Sequence, residues 1–114
     1  MNLESVGTVV AKREFDHVDG HKIVIQIGLP QPFPEGSPYY DGHSYYCPFQ
    51  IQGTKRDKIF FGAGVDSVQA LRGAMNMLRA TFCSSDEMVR GEVKWIGGGE
   101  SKDLGLDDLT VGLK

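Results

Sequence analysis

Apolar side chains recur at helical spacing between residues 67 and 83, and this stripe constrains the fold more than any other feature. Intervals of three and four residues separate its members, which are Val68, Leu71, Met75, Leu78 and Phe82. Ala70 and Ala74 widen the stripe enough to cover one face of a small sheet. Asp66 and Gln69 occupy the N-cap and N3 positions of a capping-box variant, so the helix is predicted over residues 67–83.

Residues 7–29 predict a β-hairpin, because β-branched runs flank the turn sequence Val18-Asp19-Gly20. A three-residue loop with Gly20 in the left-handed conformation pairs Phe15 with Ile23, whereas a two-residue turn would pair odd with even positions. The same register puts His17 opposite His21 at the tip. Period two then assigns one apolar face to Val9, Ala11, Phe15, Ile23, Ile25, Ile27 and Leu29.

A second hairpin is predicted from Tyr45–Gln52 and residues 58–61, which a polar turn separates. Alternation directs Cys47, Phe49 and Ile51 to the core, and Ile51 is expected to face Ile59. Pro48 has no N–H to donate, so it belongs at an edge, a bulge or a strand's beginning.

The predicted architecture is α+β: an antiparallel sheet of two hairpins with one helix packed on one face, ββββα, followed by a short C-terminal strand or arm at residues 92–96. At 114 residues the chain has room for one domain. We assign that domain to residues 1–96. Residues 97–114 form a Gly-rich C-terminal tail that we expect to be partly mobile.

Composition excludes several classes of function. The net charge of −3 argues against a nucleic-acid binder and a polybasic membrane-surface protein. No apolar run approaches the ~20 residues of a membrane span, and the first residues lack a signal-peptide pattern. We therefore expect a cytoplasmic protein without a membrane partner, in which Cys47 and Cys83 are reduced.

The sequence gives little support for a catalytic function. Gly62-Ala63-Gly64 precedes the helix as a phosphate-binding loop would, but Asp66 would repel a phosphate there, so an ordinary capped turn is predicted. No serine or cysteine has the surroundings of a nucleophile. We therefore predict no catalytic residue, no cofactor and no metal. A zinc site remains an alternative, because its ligand types occur at His17, Asp19, His21, Asp41, His43 and Cys47.

Binding surfaces are more evident than catalytic ones. The connection of residues 30–44 is long for a loop and rich in proline and tyrosine. The sheet face opposite the helix looks too apolar to meet water, since it would carry Val10, Val24, Tyr46, Pro48 and Phe60. We expect residues 93–96 to cover it, with the tyrosine-rich loop, a second subunit or a partner as alternatives. A polar helix stripe would suit an acidic partner, although a solvated face is the default; it consists of Gln69, Arg72, Asn76 and Arg79.

Two segments, residues 46–53 (YCPFQIQG) and residues 64–71 (GVDSVQAL), resemble a family of small, mostly bacterial proteins classified as a domain of unknown function. The likeness covers roughly residues 10 to 98. It implies a self-contained bacterial domain, loosely associated with mobile or competitive gene clusters, and transfers no activity or catalytic residue.

These observations favour a small non-enzymatic binding protein, of the immunity or regulatory type, with a protein partner. A homodimer is an alternative to a separate protein partner. The candidate binding residues are Tyr39, Tyr40, Tyr45, Tyr46, Arg72, Asn76 and Arg79. The alternative is a small metal-binding protein or enzyme built on the histidines His17, His21 and His43.

Overall fold

The computed structural model describes residues 3–55 and 57–94 of the chain. Within these residues, six strands and two helices follow one another as β1 (Val9–His17), β2 (Lys22–Gly28), β3 (Gln31–Pro32), β4 (Tyr45–Gln52), β5 (Ile59–Gly64), α1 (Ser67–Cys83), α2 (Asp86–Val89) and β6 (Val93–Lys94). All strand pairs are antiparallel. An open antiparallel sheet with one main helix packed on one face confirms the predicted α+β class.

The sheet is built around β4, which pairs with β5 along one edge and with β2 along the other. The short β3 continues the β2 edge, where Gln31 lies opposite Tyr46. Pro48 falls where the neighbour of β4 changes from β2 to β3, so its missing N–H interrupts no pairing with either strand. Beyond β2 the order continues through β1 to β6.

The first hairpin has the predicted register, with Phe15 opposite Ile23. The N–H of His17 donates to the carbonyl of His21 at 3.0 Å, and Gly20 adopts a φ of 100°, which glycine tolerates better than other residues. At the open end the apolar-face prediction is wrong. A bulge between Val9 and Ala11 breaks the period-two alternation of β1, and Val9, Ala11 and Leu29 are exposed.

The second hairpin is shifted by one residue from the prediction. Ile59 lies opposite Gln50 instead of Ile51, so Phe60 lies opposite Phe49. Directly opposed residues share a face of the sheet. Phe60 therefore packs beside the core, and the predicted place of Phe60 on the other face is wrong; Phe61 takes it.

The helix α1 has the predicted bounds and the predicted cap. The carboxylate of Asp66 accepts from the N–H of Gln69 at 2.8 Å, and the Gln69 side chain accepts from the N–H of Val65 at 2.7 Å. Leu78 and Phe82 are buried as expected, but Val68 is 66% exposed. The first member of the apolar stripe is therefore exposed, although Ala70 two residues later is buried.

The core lies between α1 and the sheet. Its buried members are Phe15, Ile23, Ile25, Ile27, Cys47, Phe49, Ile51, Ala70, Ala74, Leu78, Phe82 and Val93. Ala70 and Ala74 bring α1 so close to β5 that a Cβ atom on Gly62 would lie 2.1 Å from the backbone nitrogen of Ala74. Gly62 therefore serves helix packing as well as the bend that leaves the strand.

The end of the described chain differs in part from the prediction. The short helix α2, which Ser85 caps, was not predicted from the sequence. The strand predicted over residues 92–96 is present as Val93–Lys94, paired with Asp16 and His17 of β1. Val93 is buried in the main core, so its predicted place over the opposite face is wrong. Trp95, Ile96 and the tail of residues 97–114 lie outside the described residues.

Neither helix in the described part of the chain has the length and apolar character that a membrane span requires.

Candidate functional site

The loop of residues 30–44 is held in place by backbone and side-chain hydrogen bonds. Phe33 donates its N–H to the carbonyl of Ser44 at 3.1 Å, and Tyr40 donates to the carbonyl of Ser37 at 3.1 Å. The Asp41 carboxylate accepts from Ser44 through both the N–H (2.7 Å) and the hydroxyl (2.5 Å). These bonds from Ser44 lower the pKa of Asp41 to about 2. The loop is therefore an ordered surface element.

Four aromatic rings pack together where this loop meets the sheet. Phe33, only 4% exposed, lies 5.3 Å from Tyr46 and 5.4 Å from Tyr39 between ring centroids. Phe61 of β5 meets Tyr39 edge-on at 5.7 Å. These separations are those of favourable aromatic pairs. We call Phe33, Tyr39, Tyr46 and Phe61 the aromatic cluster.

The aromatic cluster lies on the sheet face opposite α1 and covers one end of it. Over β1 and β2 the same face is more polar: Lys22 forms an ion pair with Asp16, and Lys12 lies 3.5 Å from Glu14. The loop thus covers the apolar half of this face, and the half over β1 and β2 carries its own charges.

The predicted tyrosines divide between two places. Tyr39 is 52% exposed although its ring belongs to the aromatic cluster, and Tyr40 beside it is 45% exposed. Tyr46 is half-buried inside the cluster. Tyr45 lies on the other face, where it packs against the core and lines an open groove of about 400 Å³ with Leu29, Val68 and Leu71.

The polar stripe of α1 does not lie beside the exposed tyrosines Tyr39 and Tyr40. Arg72, Asn76 and Arg79 are half-buried on α1, which lies on the opposite side of the sheet from the aromatic cluster. Gln69 is engaged in the helix cap. The seven residues predicted for binding are therefore distributed over two faces of the molecule.

The tip of the first hairpin brings together two histidines and an aspartate. The rings of His17 and His21 stack at 4.4 Å between centroids with 20° between their planes. Oδ1 of Asp19 lies 3.0 Å from Nδ1 of His17 and 2.5 Å from Nδ1 of His21. We call these three residues the hairpin-tip cluster. Asp41, His43 and Cys47, also considered as zinc ligands, do not belong to it.

Hydrogen bonds set the charges of the hairpin-tip cluster. The carbonyl of Gly53 accepts from Nε2 of His21 at 3.0 Å, which raises the pKa of His21, and Asp19 adds to this effect. The N–H of His21 donates to Asp19 at 3.0 Å and lowers the pKa of its carboxyl group. Both shifts favour the charged forms, so protonated His21 and ionised Asp19 stabilise each other at the tip.

Neither cysteine takes part in a disulfide, as expected. Burial raises the pKa of Cys47 to about 11, and its thiol donates to the carbonyl of Gly28 at 3.3 Å. Cys47 is therefore a buried residue of the core whose surroundings favour the protonated thiol.

Comparison with protein families matches residues 11–107 to a domain of unknown function (DUF6968). This covers most of the chain and agrees with the resemblance seen in the sequence. No curated protein and no solved structure matches the chain.

Proposed function

The chain belongs to the DUF6968 family, whose function is not known, and we propose that it is a non-enzymatic binding protein that contacts a protein partner through Tyr39 and Tyr40. The observation that carries this proposal is the combination of order and exposure in the loop of residues 30–44. Tyr39 packs on Phe33 and Phe61 and still leaves 52% of its surface to solvent.

Rigid exposed tyrosines suit a protein interface. Tyrosine supplies a large contact area with a polar hydroxyl group, and it is enriched among residues that dominate binding energy. Because the aromatic cluster and Asp41 already fix the loop, binding would order few side chains. Preorganisation of this kind improves affinity by lowering the entropy cost of association.

The charge of the loop indicates the chemistry of the partner. Glu35 and Asp41 give the loop acidic side chains, and it contains no lysine or arginine. Exposed tyrosine rings attract cations as well. The partner surface is therefore a basic one, with Lys or Arg side chains beside an apolar patch.

A protein of this kind acts by occupying a surface of its partner, as immunity-type and regulatory proteins do. The bacterial, cytoplasmic setting inferred from the sequence is part of the same proposal. The half-buried polar residues of α1, Arg72, Asn76 and Arg79, are assigned to a separate face and do not contribute to this contact.

The test compares the purified protein with a double variant, Tyr39→Ser with Tyr40→Ser. Candidate partners are those that immobilised wild-type protein captures from a lysate of the source organism, and each is then purified and titrated by calorimetry. We expect the double variant to bind at least about thirtyfold more weakly, which corresponds to the loss of about 2 kcal/mol at an interface hot spot. Added salt should weaken wild-type binding.

A control variant, Val89→Ser, removes an apolar side chain that is 75% exposed on α2 and should bind like the wild type. A purified partner that binds the double variant as tightly as the wild type would refute the assignment to Tyr39 and Tyr40. A doubled mass in solution that the double variant abolishes would identify a second copy of the chain as the occupant and would exclude a separate partner.

A further inference from the structure

The hairpin-tip cluster lies at the opposite end of β2 from the loop of residues 30–44 and takes no part in the proposed partner contact. Among the described residues, His17, Asp19 and His21 each offer one ligand atom, and these atoms lie within 4.8 Å of one another. Two imidazoles and a carboxylate are a donor set found in zinc proteins, in which remaining positions are taken by water or substrate.

The surroundings of the His21 ring resemble those of a metal-ligating histidine. Such a histidine almost always donates its other ring N–H to a carbonyl or a carboxylate, which fixes the tautomer and the ring direction. Nε2 of His21 donates to the carbonyl of Gly53 at 3.0 Å, whereas Nε2 of His17 lies 3.7 Å from the carboxylate of Glu92, which is an ion-pair distance too long for a hydrogen bond. Nδ1 of both rings is left on the side of Asp19.

Three separate parts of the chain establish this arrangement. The three-residue loop brings His17 opposite His21, the turn after β4 supplies Gly53, and the segment after α2 supplies Glu92. The side chain of His17 is only 8% exposed, whereas that of His21 is 42% exposed. One ligand is thus fixed by packing, and another is free to adjust.

We propose that the hairpin-tip cluster is a binding site for a divalent transition-metal ion, with Zn²⁺ as its probe. Nδ1 of His17, Nδ1 of His21 and a carboxylate oxygen of Asp19 are the ligands; Gly53 orients the ring of His21, and burial holds the ring of His17. Zinc–ligand bonds are about 2.0–2.2 Å long. The three ligand atoms must therefore come closer together than the 4.8 Å within which they now lie. The exposed side chains of Asp19 and His21 close this gap by shifting, while Nε2 of His21 stays at the carbonyl of Gly53.

Metal binding replaces hydrogen bonds that the free cluster makes. The ion takes the place of the proton between Asp19 and His21, and Nδ1 of His17 gives up the hydrogen bond that it accepts from the N–H of Asp19. The contacts of both Nε2 atoms are retained. Magnesium and calcium ions, which prefer sites built from oxygen ligands, should not compete.

The experiment titrates untagged, chelator-treated protein with Zn²⁺ by calorimetry and repeats the titration with Mg²⁺. We expect about one Zn²⁺ per chain, a higher melting temperature with the metal, and no response to Mg²⁺. His21→Ala and Asp19→Ala should each lower the affinity at least about tenfold, since ligand groups act together. His17→Ala should do the same, but its side chain is packed, so the two exposed positions decide the outcome.

The matched control is His43→Ala, which removes an exposed histidine whose Nε2 lies 3.7 Å from Asp41 and which is outside the cluster. It should bind Zn²⁺ like the wild type. The proposal is overturned if wild-type protein shows no binding stronger than a Kd of about 1 mM. It is also overturned if His43→Ala lowers the affinity as much as His21→Ala does, because the ion would then bind surface histidines without a defined site.

Discussion

Gly62 of β5 lies directly beneath Ala74 of α1: a Cβ atom on Gly62 would stand 2.1 Å from the backbone nitrogen of Ala74. Because the obstacle is backbone, no side-chain rotation relieves it. Gly62→Ala should therefore push α1 away from the sheet and lower the free energy of unfolding by about 1–3 kcal/mol or more. Urea unfolding monitored by circular dichroism measures the loss.

A matched control is available in Gly36→Ala. A Cβ atom there meets nothing within 4 Å, and φ is not in the left-handed region. This substitution should be neutral or stabilise the protein by up to about 1 kcal/mol by restricting the unfolded chain. Equal losses in the two variants would show that α1 does not pack closely on Gly62.

The two ends of the apolar helix stripe should respond differently to truncation. Leu78 is 1% exposed in the core, so Leu78→Ala should cost about 2–5 kcal/mol of unfolding free energy. Val68 is 66% exposed, so Val68→Ala should change it by no more than about 0.5 kcal/mol. Chemical denaturation of both variants provides the comparison, and a large loss at Val68 would place it in the core after all.

The helix cap predicts a graded response at Asp66. Its carboxylate accepts the N–H of Gln69, so Asp66→Ala should lose about 0.5–2 kcal/mol. Asp66→Asn keeps an accepting oxygen and should lose much less. Thermal and urea melts of the two variants distinguish a cap from a residue needed only for its charge, because in the latter case both substitutions would have similar effects.

Local rules in the sequence were sufficient for the parts of the fold that depend on neighbouring residues. Alternation of apolar residues selected the three-residue loop, which pairs Phe15 with Ile23, and the capping residues indicated the start of α1. The pairing of β4 with β5 was missed by one residue. Phe60 and Phe61 are adjacent and equally apolar, so alternation does not decide which of them faces the core.

Long-range contacts explain why the candidate sites were only partly predicted. The position of His17 opposite His21 followed from the hairpin register, whereas Gly53 and Glu92 reach these rings from distant parts of the chain. Periodicity likewise predicted the helix but not that Val68, the first member of its apolar stripe, is exposed. The support of Tyr39 by Phe61 depended on the β4–β5 register, so the sequence did not reveal it.

The hairpin-tip cluster predicts a specific dependence of stability on pH. The folded pKa of His21 is raised above the ordinary value of 6.5, so the protonated ring stabilises the fold below that pH, and the contribution is lost as the pH rises through the folded pKa. The pKa of Asp19 is lowered from 3.8, so its contribution is present above that pH and lost as the pH falls. Both contribute together between about pH 4 and about pH 6.5.

His21→Gln should therefore reduce the free energy of unfolding more at about pH 5.5 than at about pH 8.5. Urea denaturation of both proteins, with a chelator present to remove metal ions, measures the difference. A loss of equal size at both pH values would mean that the proton on His21 does not contribute to folding.

The last prediction concerns the support beneath the exposed tyrosines. Phe33→Leu retains an apolar side chain but removes the ring contacts with Tyr39, Tyr46 and Phe61, each of which is worth about 0.5–1.5 kcal/mol. We expect the backbone N–H of Tyr40 to exchange with solvent several times faster, while the N–H groups in the middle of α1 remain protected. Phe60→Leu is the control, since Phe60 stacks on Phe49 at 5.7 Å on the opposite face. It should weaken the core without specifically accelerating exchange in the loop, and equal acceleration at Tyr40 in both variants would contradict the separation of the two faces.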